Sequence, residues 1–142
     1  MMSKLRNFAF ALLILIFAVL MCVIFGLNER MGIGRVPFPA LFWLAGVFFV
    51  LSIVEIVLTA KLRETKLKKI FFILTGVSAA CIPVFAVLHN VVYGLFFAGK
   101  DGDEAVFFIL ALLVCPILFV VGLLGSITAL IASKLTKRNF AA

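Results

Sequence analysis

The chain has 142 residues, 66% of them hydrophobic and 13% charged, with a mean hydropathy of +1.36; ordinary soluble domains carry about 25% charged residues. The net charge is +7 and the pI about 9.8. The basic residues sit in short segments flanking apolar runs, where anionic headgroups attract them, so the composition argues against both a soluble globular domain and a nucleic-acid partner.

Four apolar stretches, at 8–27, 38–60, 70–97 and 105–132, are each at least 20 residues long, and only Glu55 is formally charged inside any of them. About 20 apolar residues span a bilayer core as a helix. The tails and connections are at most ten residues each, too short to bury a core of their own. The sequence therefore predicts an all-α integral membrane protein: one antiparallel bundle of four transmembrane helices over 1–142, with no soluble domain. The first stretch exceeds the usual signal-peptide core, and nothing after it offers a clear small-x-small cleavage site, so it is read as a spanning helix.

Orientation follows from Lys and Arg in short loops. Lys4, Arg6, Lys61, Arg63, Lys66, Lys68, Lys69, Lys134, Lys137 and Arg138 fall on one side; Arg30, Arg35 and Lys100 fall on the other. Ten against three predicts a plasma (inner) membrane protein with both termini in the cytoplasm.

In chain order, the first stretch is apolar all round. Gly32-Ile33-Gly34 lacks the Lys-Ser/Thr of a phosphate loop and reads as a turn. Pro37 and Pro39 open the second stretch, where proline is tolerated, and Trp43 suits an interfacial position. Glu55 lies about 9 Å below the boundary marked by Lys61. Ser52 and Thr59 share its helical face, and Thr75, Ser78, Ser126 and Thr128 fall in the same layer by depth. A carboxyl in hydrocarbon is costly and belongs in the bundle interior, paired or neutral. This group is the candidate intramembrane polar site, read either as a proton- or cation-coupled site or as a helix-packing device. The connection 61–69 carries Lys61, Arg63, Lys66, Lys68 and Lys69 with Glu64. It is expected to lie on an anionic inner leaflet or to dock a partner.

The third and fourth stretches form a hairpin with Pro83 and Pro116 near their middles, each beside a cysteine, Cys81 and Cys115. Proline opens the helical ladder, so kinks and a small cavity are expected there. Counted from residue 101, Cys81 lies about 9 Å deeper than Cys115, and His89 falls level with Cys115. No Cys-x-x-Cys accompanies them, so they read as small buried hydrophobes, with neither metal nor cofactor implied. His89, Asn90 and Tyr93 form a candidate outer polar site, with Asp101, Asp103 and Glu104 as its entrance; an interfacial belt is the plainer reading. Glu104 and its neighbours also suit the start of the fourth helix as caps. By depth, Glu55 and His89 are about 10–15 Å apart and not direct partners. Gly122, Gly125, Ser126, Ala129 and Ser133, with Gly76 and Ala80, form small-xxx-small patterns that favour close helix contact within the bundle or between copies.

The leading functional expectation is an accessory or scaffold subunit of a membrane assembly, self-associating or bound to a membrane protein partner, and not an enzyme. The alternatives are a small oligomeric transporter or channel using Glu55, and a membrane enzyme using His89 and Tyr93.

Overall fold

The computed structural model describes residues 1–30, 32, 34–99, 102 and 104–139, without the side chains of 28 and 136–139. Expectations placed on Ile33, Lys100, Asp101, Asp103 and the side chains of Lys137 and Arg138 lie outside the described residues. All regular structure among the described residues is helical.

Helix α1 (Met2–Ile24) begins well ahead of the first apolar run, because the intervening Lys4 and Arg6 are good helix formers. It ends where Gly26 adopts φ 65° and donates its N–H to the Val23 carbonyl, a left-handed position that glycine takes without strain. A single turn, α2 (Leu27–Arg30), follows. Helix α3 (Phe38–Lys61) starts after extended Pro37 with Pro39 in its first turn, where no backbone donor is needed.

Helix α4 (Lys66–Val92) runs unbroken through Pro83 and then widens into a π-turn at Tyr93–Phe97. The last span consists of α5 (Val106–Ile109), a second π-turn at Leu110–Val114, and α6 (Cys115–Asn139). In that turn the Cys115 N–H reaches back to the Leu110 carbonyl, directly ahead of Pro116, which has no N–H to offer Leu112. Among the described residues, four helices are long and apolar enough to cross a membrane: Met2–Ile24, Phe38–Lys61, Lys66–Phe97 and Val106–Leu135.

Helix α4 is central, packing on α3 and on α6, while α1 packs on α3. Side chains tie α1 to the other two helices: Phe17 stacks on Phe119 at 4.2 Å between centroids, and Phe10 meets Phe72 at 4.9 Å. Leu13, Leu20, Phe48, Ala79, Ile82, Cys115 and Phe119 form the apolar core. Glycines set the close approaches. A Cβ on Gly76 would stand 2.7 Å from Ile56 Cγ1, and one on Gly122 would stand 2.8 Å from the Thr75 backbone nitrogen.

That register corrects the depth count. With Thr75 on Gly122 and Phe71 on Gly125, Cys81 falls opposite Cys115, and their thiols interact; neither cysteine is in a disulfide. The expected 9 Å offset is absent, and His89 is not level with Cys115. The cause is the hairpin itself: the third span continues to Phe97, while Glu104 lies back beside His89, so the last span starts alongside α4 and not level with the end of the third span.

Polarity is inverted relative to a water-soluble helix. The buried stripe of α3 is Phe48, Ser52, Glu55 and Thr59, whereas Phe42, Trp43, Val47, Val50, Ile53 and Val57 are exposed.

Candidate functional site

Four residues of the expected intramembrane site are brought inward, on two adjacent helices, together with Glu55. Ser52, Glu55 and Thr59 line the inner stripe of α3, and Thr75 and Ser78 are buried on α4. Most of these hydroxyls are satisfied within their own helix: Ser52 Oγ donates to the Phe49 carbonyl at 2.6 Å, Thr75 Oγ1 to Phe71 at 2.9 Å and Ser78 Oγ to Leu74 at 2.7 Å. Such bonds back to the preceding turn leave little to offer a ligand. Glu55 differs. Both its oxygens are buried without a hydrogen-bond partner among the described residues, and so are Thr59 Oγ1 and Ser126 Oγ. Buried polar groups are nearly always paired, and exceptions call for an explanation. Thr128, expected in the same layer, is exposed and bonds to the Gly125 carbonyl.

Sequence reasoning missed Arg6, which it counted as a cation of the N-terminal tail. Only 1% of Arg6 is exposed. Its guanidinium lies 3.9 Å from the centre of the Phe72 ring, pairs with Glu64, and donates to Asn7 Oδ1 at 2.8 Å. Glu64 also accepts from Lys68 Nζ at 2.8 Å. Burial pushes the Glu64 carboxyl up, but the bonds from Lys68 and Arg6 outweigh it and hold the group below its ordinary 4.5. Arg6 is also close enough for its field to act on Glu55. A signal for this was present: Arg6 shares the inward face of α1 with Ala9, Phe10, Leu13 and Leu20.

The basic connection does more than flank the bundle. Lys61, Arg63, Lys68 and Lys69 line an open groove of about 1060 Å³ that α6 closes with Ala129, Ala132 and Ser133. Lys66, expected with them, is exposed and does not line it.

At the opposite end, His89 finds a partner that its spacing did not reveal. His89 Nδ1 stands 2.9 Å from the Glu104 carbonyl oxygen and 3.0 Å from Glu104 Oε2. A carbonyl only accepts, so Nδ1 carries the hydrogen. Glu104 Oε1 in turn accepts the Phe107 N–H at 2.8 Å, the capping role expected of it. Burial raises the Glu104 carboxyl, but the Phe107 and His89 bonds prevail and lower it. Asn90 donates to the Ala86 carbonyl at 2.7 Å, and Tyr93 lies 6.3 Å from the His89 ring. A cavity of about 160 Å³ sits beside this group, lined by Ala86, His89, Asn90, Phe108, Ala111 and Leu112. Neither Pro83 nor Pro116 lines it.

This geometry ties the top of α4 to the start of the last span. Glu104→Gln keeps an acceptor for Phe107 but loses the charged partner of His89, while Glu104→Ala loses both. The melting temperature of detergent-purified protein is expected to fall in the order wild type, Glu104→Gln, Glu104→Ala, with His89→Ala near Glu104→Gln. Equal melting of all four would remove the clasp.

Among the described residues, no group of three or more His, Cys, Asp or Glu is arranged to hold a metal. No protein-family model matches the chain, and neither a curated protein nor a solved structure does.

Proposed function

We propose that the chain is a small multi-pass plasma-membrane transporter, termini in the cytoplasm, in which Glu55 takes up and releases a proton in the inner half of the bundle. The observation that carries this reading is the Glu55 carboxyl, fully buried with both oxygens unpartnered among the described residues, one helical turn from the equally unpartnered hydroxyl of Thr59. Intramembrane carboxyls that face a bundle interior mark ion and proton pathways. Membrane placement is supported by the inverted polarity of α3, and orientation by the ten-to-three distribution of Lys and Arg. The ligand is a proton because a metal cation needs a coordination shell, and the hydroxyls of Ser52, Thr75 and Ser78 on the same inward faces are engaged with carbonyls of their own helices. The wide turn ahead of Pro116 is where the hairpin is expected to bend, since π-turns and prolines are the usual places for helices to yield.

An accessory or scaffold role rested on the lack of a catalytic set, on loops too short for a catalytic domain and on the small-residue stripe. Gly76, Gly122 and Gly125 instead face Ile56, Thr75 and Phe71 of the same chain, so those residues serve internal packing. The enzymatic alternative through His89 and Tyr93 is weakened by the engagement of His89 with Glu104.

Proton uptake into proteoliposomes under an imposed membrane potential tests the proposal. Wild type is expected to show uptake that Glu55→Gln abolishes and Glu55→Asp retains in part. Uptake equal in wild type, Glu55→Gln and protein-free vesicles contradicts it.

A further inference from the structure

The groove at the end carrying the 62–65 connection has features that positive-inside charge alone does not require. Such charge can be scattered over any inner loop. Here the connection, the first turn of α4 and residues 129–133 of α6 border an open groove of about 1060 Å³, at the upper end of small-ligand sites. Its charge is unbalanced. Lys68 is neutralised by Glu64, which also serves Arg6. Lys69 uses one of its N–H groups on the Ala60 carbonyl at 2.7 Å and has two more to offer. Lys61 and Arg63 are exposed, with no ion-pair partner among the described residues.

The remaining lining is mostly apolar or small, with Leu62 and Ala129 half-buried and Leu67 and Ala132 exposed. Basic side chains beside an apolar lining open to its surroundings, at the level where spanning helices end, match an amphiphile with a phosphate head and a hydrocarbon body. Basic pockets between helices on the cytoplasmic side bind anionic headgroups in this way, and Arg63 offers the fork geometry that suits phosphate oxygens.

We infer that this groove is a binding site for an anionic phospholipid of the inner leaflet, its headgroup phosphate held by Lys61, Arg63 and Lys69. The inference relies on the membrane reading but not on proton exchange at Glu55, so Glu55→Gln is expected to bind the lipid normally.

The test is native mass spectrometry of the full-length protein in detergent, titrated with phosphatidylglycerol or phosphatidylcholine. Wild type is expected to retain phosphatidylglycerol preferentially. Lys61→Gln/Arg63→Gln is expected to weaken that binding about thirtyfold, at the strength typical of basic residues near anionic lipid. Lys4→Gln/Lys134→Gln removes the same charge from exposed positions outside the groove and is expected to leave binding within about threefold. Equal losses in the two double variants would show diffuse surface charge and overturn the site, as would equal binding of the two lipids. Displacement by millimolar glycerol 3-phosphate, as effective as displacement by added phosphatidylglycerol, would identify a soluble phosphate as the ligand and overturn the lipid assignment.

Discussion

Gly122→Ala is expected to destabilise the bundle more than Gly125→Ala, although the second change makes the shorter clash. A Cβ on Gly122 would lie 2.8 Å from the Thr75 backbone nitrogen and 3.1 Å from its Cα. Backbone cannot step aside, so α4 and α6 must separate. A Cβ on Gly125 would lie 2.2 Å from Phe71 Cδ1, but Phe71 is a half-buried side chain that can turn toward the periphery. Overpacking costs about 1–3 kcal/mol, while alanine gains about 1 kcal/mol over glycine inside a helix. At Gly122 the clash wins; at Gly125 the two effects nearly cancel. Thermal unfolding in detergent should place Gly122→Ala well below wild type and Gly125→Ala close to it. The opposite order would mean that α4 and α6 do not meet in this register.

Arg6→Ala is the second large effect. It removes a buried guanidinium that spans Glu64 and the Phe72 ring and whose field acts on Glu55. Breaking a fully buried ion pair costs about 3–5 kcal/mol, but Lys68 still serves Glu64, so a loss of about 2 kcal/mol is expected here. Arg6→Lys keeps the charge but not the planar fork and should fall between.

A double-mutant cycle with Glu55→Gln separates the partners. Coupling above about 0.5 kcal/mol means that Arg6 acts on Glu55 and not on Glu64 alone. The pH dependence has a definite sign. Because the Glu64 carboxyl is held below its ordinary 4.5 in the folded protein, its contribution is present above that value and is lost as pH falls through the lowered one. Melting temperatures should therefore drop on acidification below about 4.5 in wild type and less steeply in Glu64→Gln; identical profiles would exclude Glu64 as a source of acid sensitivity.

Much of the fold was legible because hydropathy alone marks the spans. Phe38–Lys61 agrees with the expected second helix almost to the residue. Helix ends were harder to place where charged helix formers extend a helix past its apolar run, as at Met2 and Lys66. The face of α3 was legible too, since Ser52, Glu55 and Thr59 share one side by spacing.

Three features were not. Arg6 was hidden because positive-inside counting treats every flanking cation as solvated. The pairing of His89 with Glu104 joins residues across a connection whose path no local pattern sets. The meeting of Cys81 and Cys115 depends on hairpin register, which is set by Glu104 lying back beside His89 while the third span runs on to Phe97, and uniform 1.5 Å steps counted from residue 101 do not capture that.

The central claim is that Glu55 is a proton-exchanging carboxyl in apolar surroundings. Labelling with the hydrophobic reagent dicyclohexylcarbodiimide, which attacks protonated carboxyls, tests it most directly. Peptide mapping should find the adduct on Glu55, decreasing as pH rises and absent in Glu55→Gln. An adduct confined to exposed Glu29 with Glu55 unmodified, or labelling of Glu55 that ignores pH, would contradict the account.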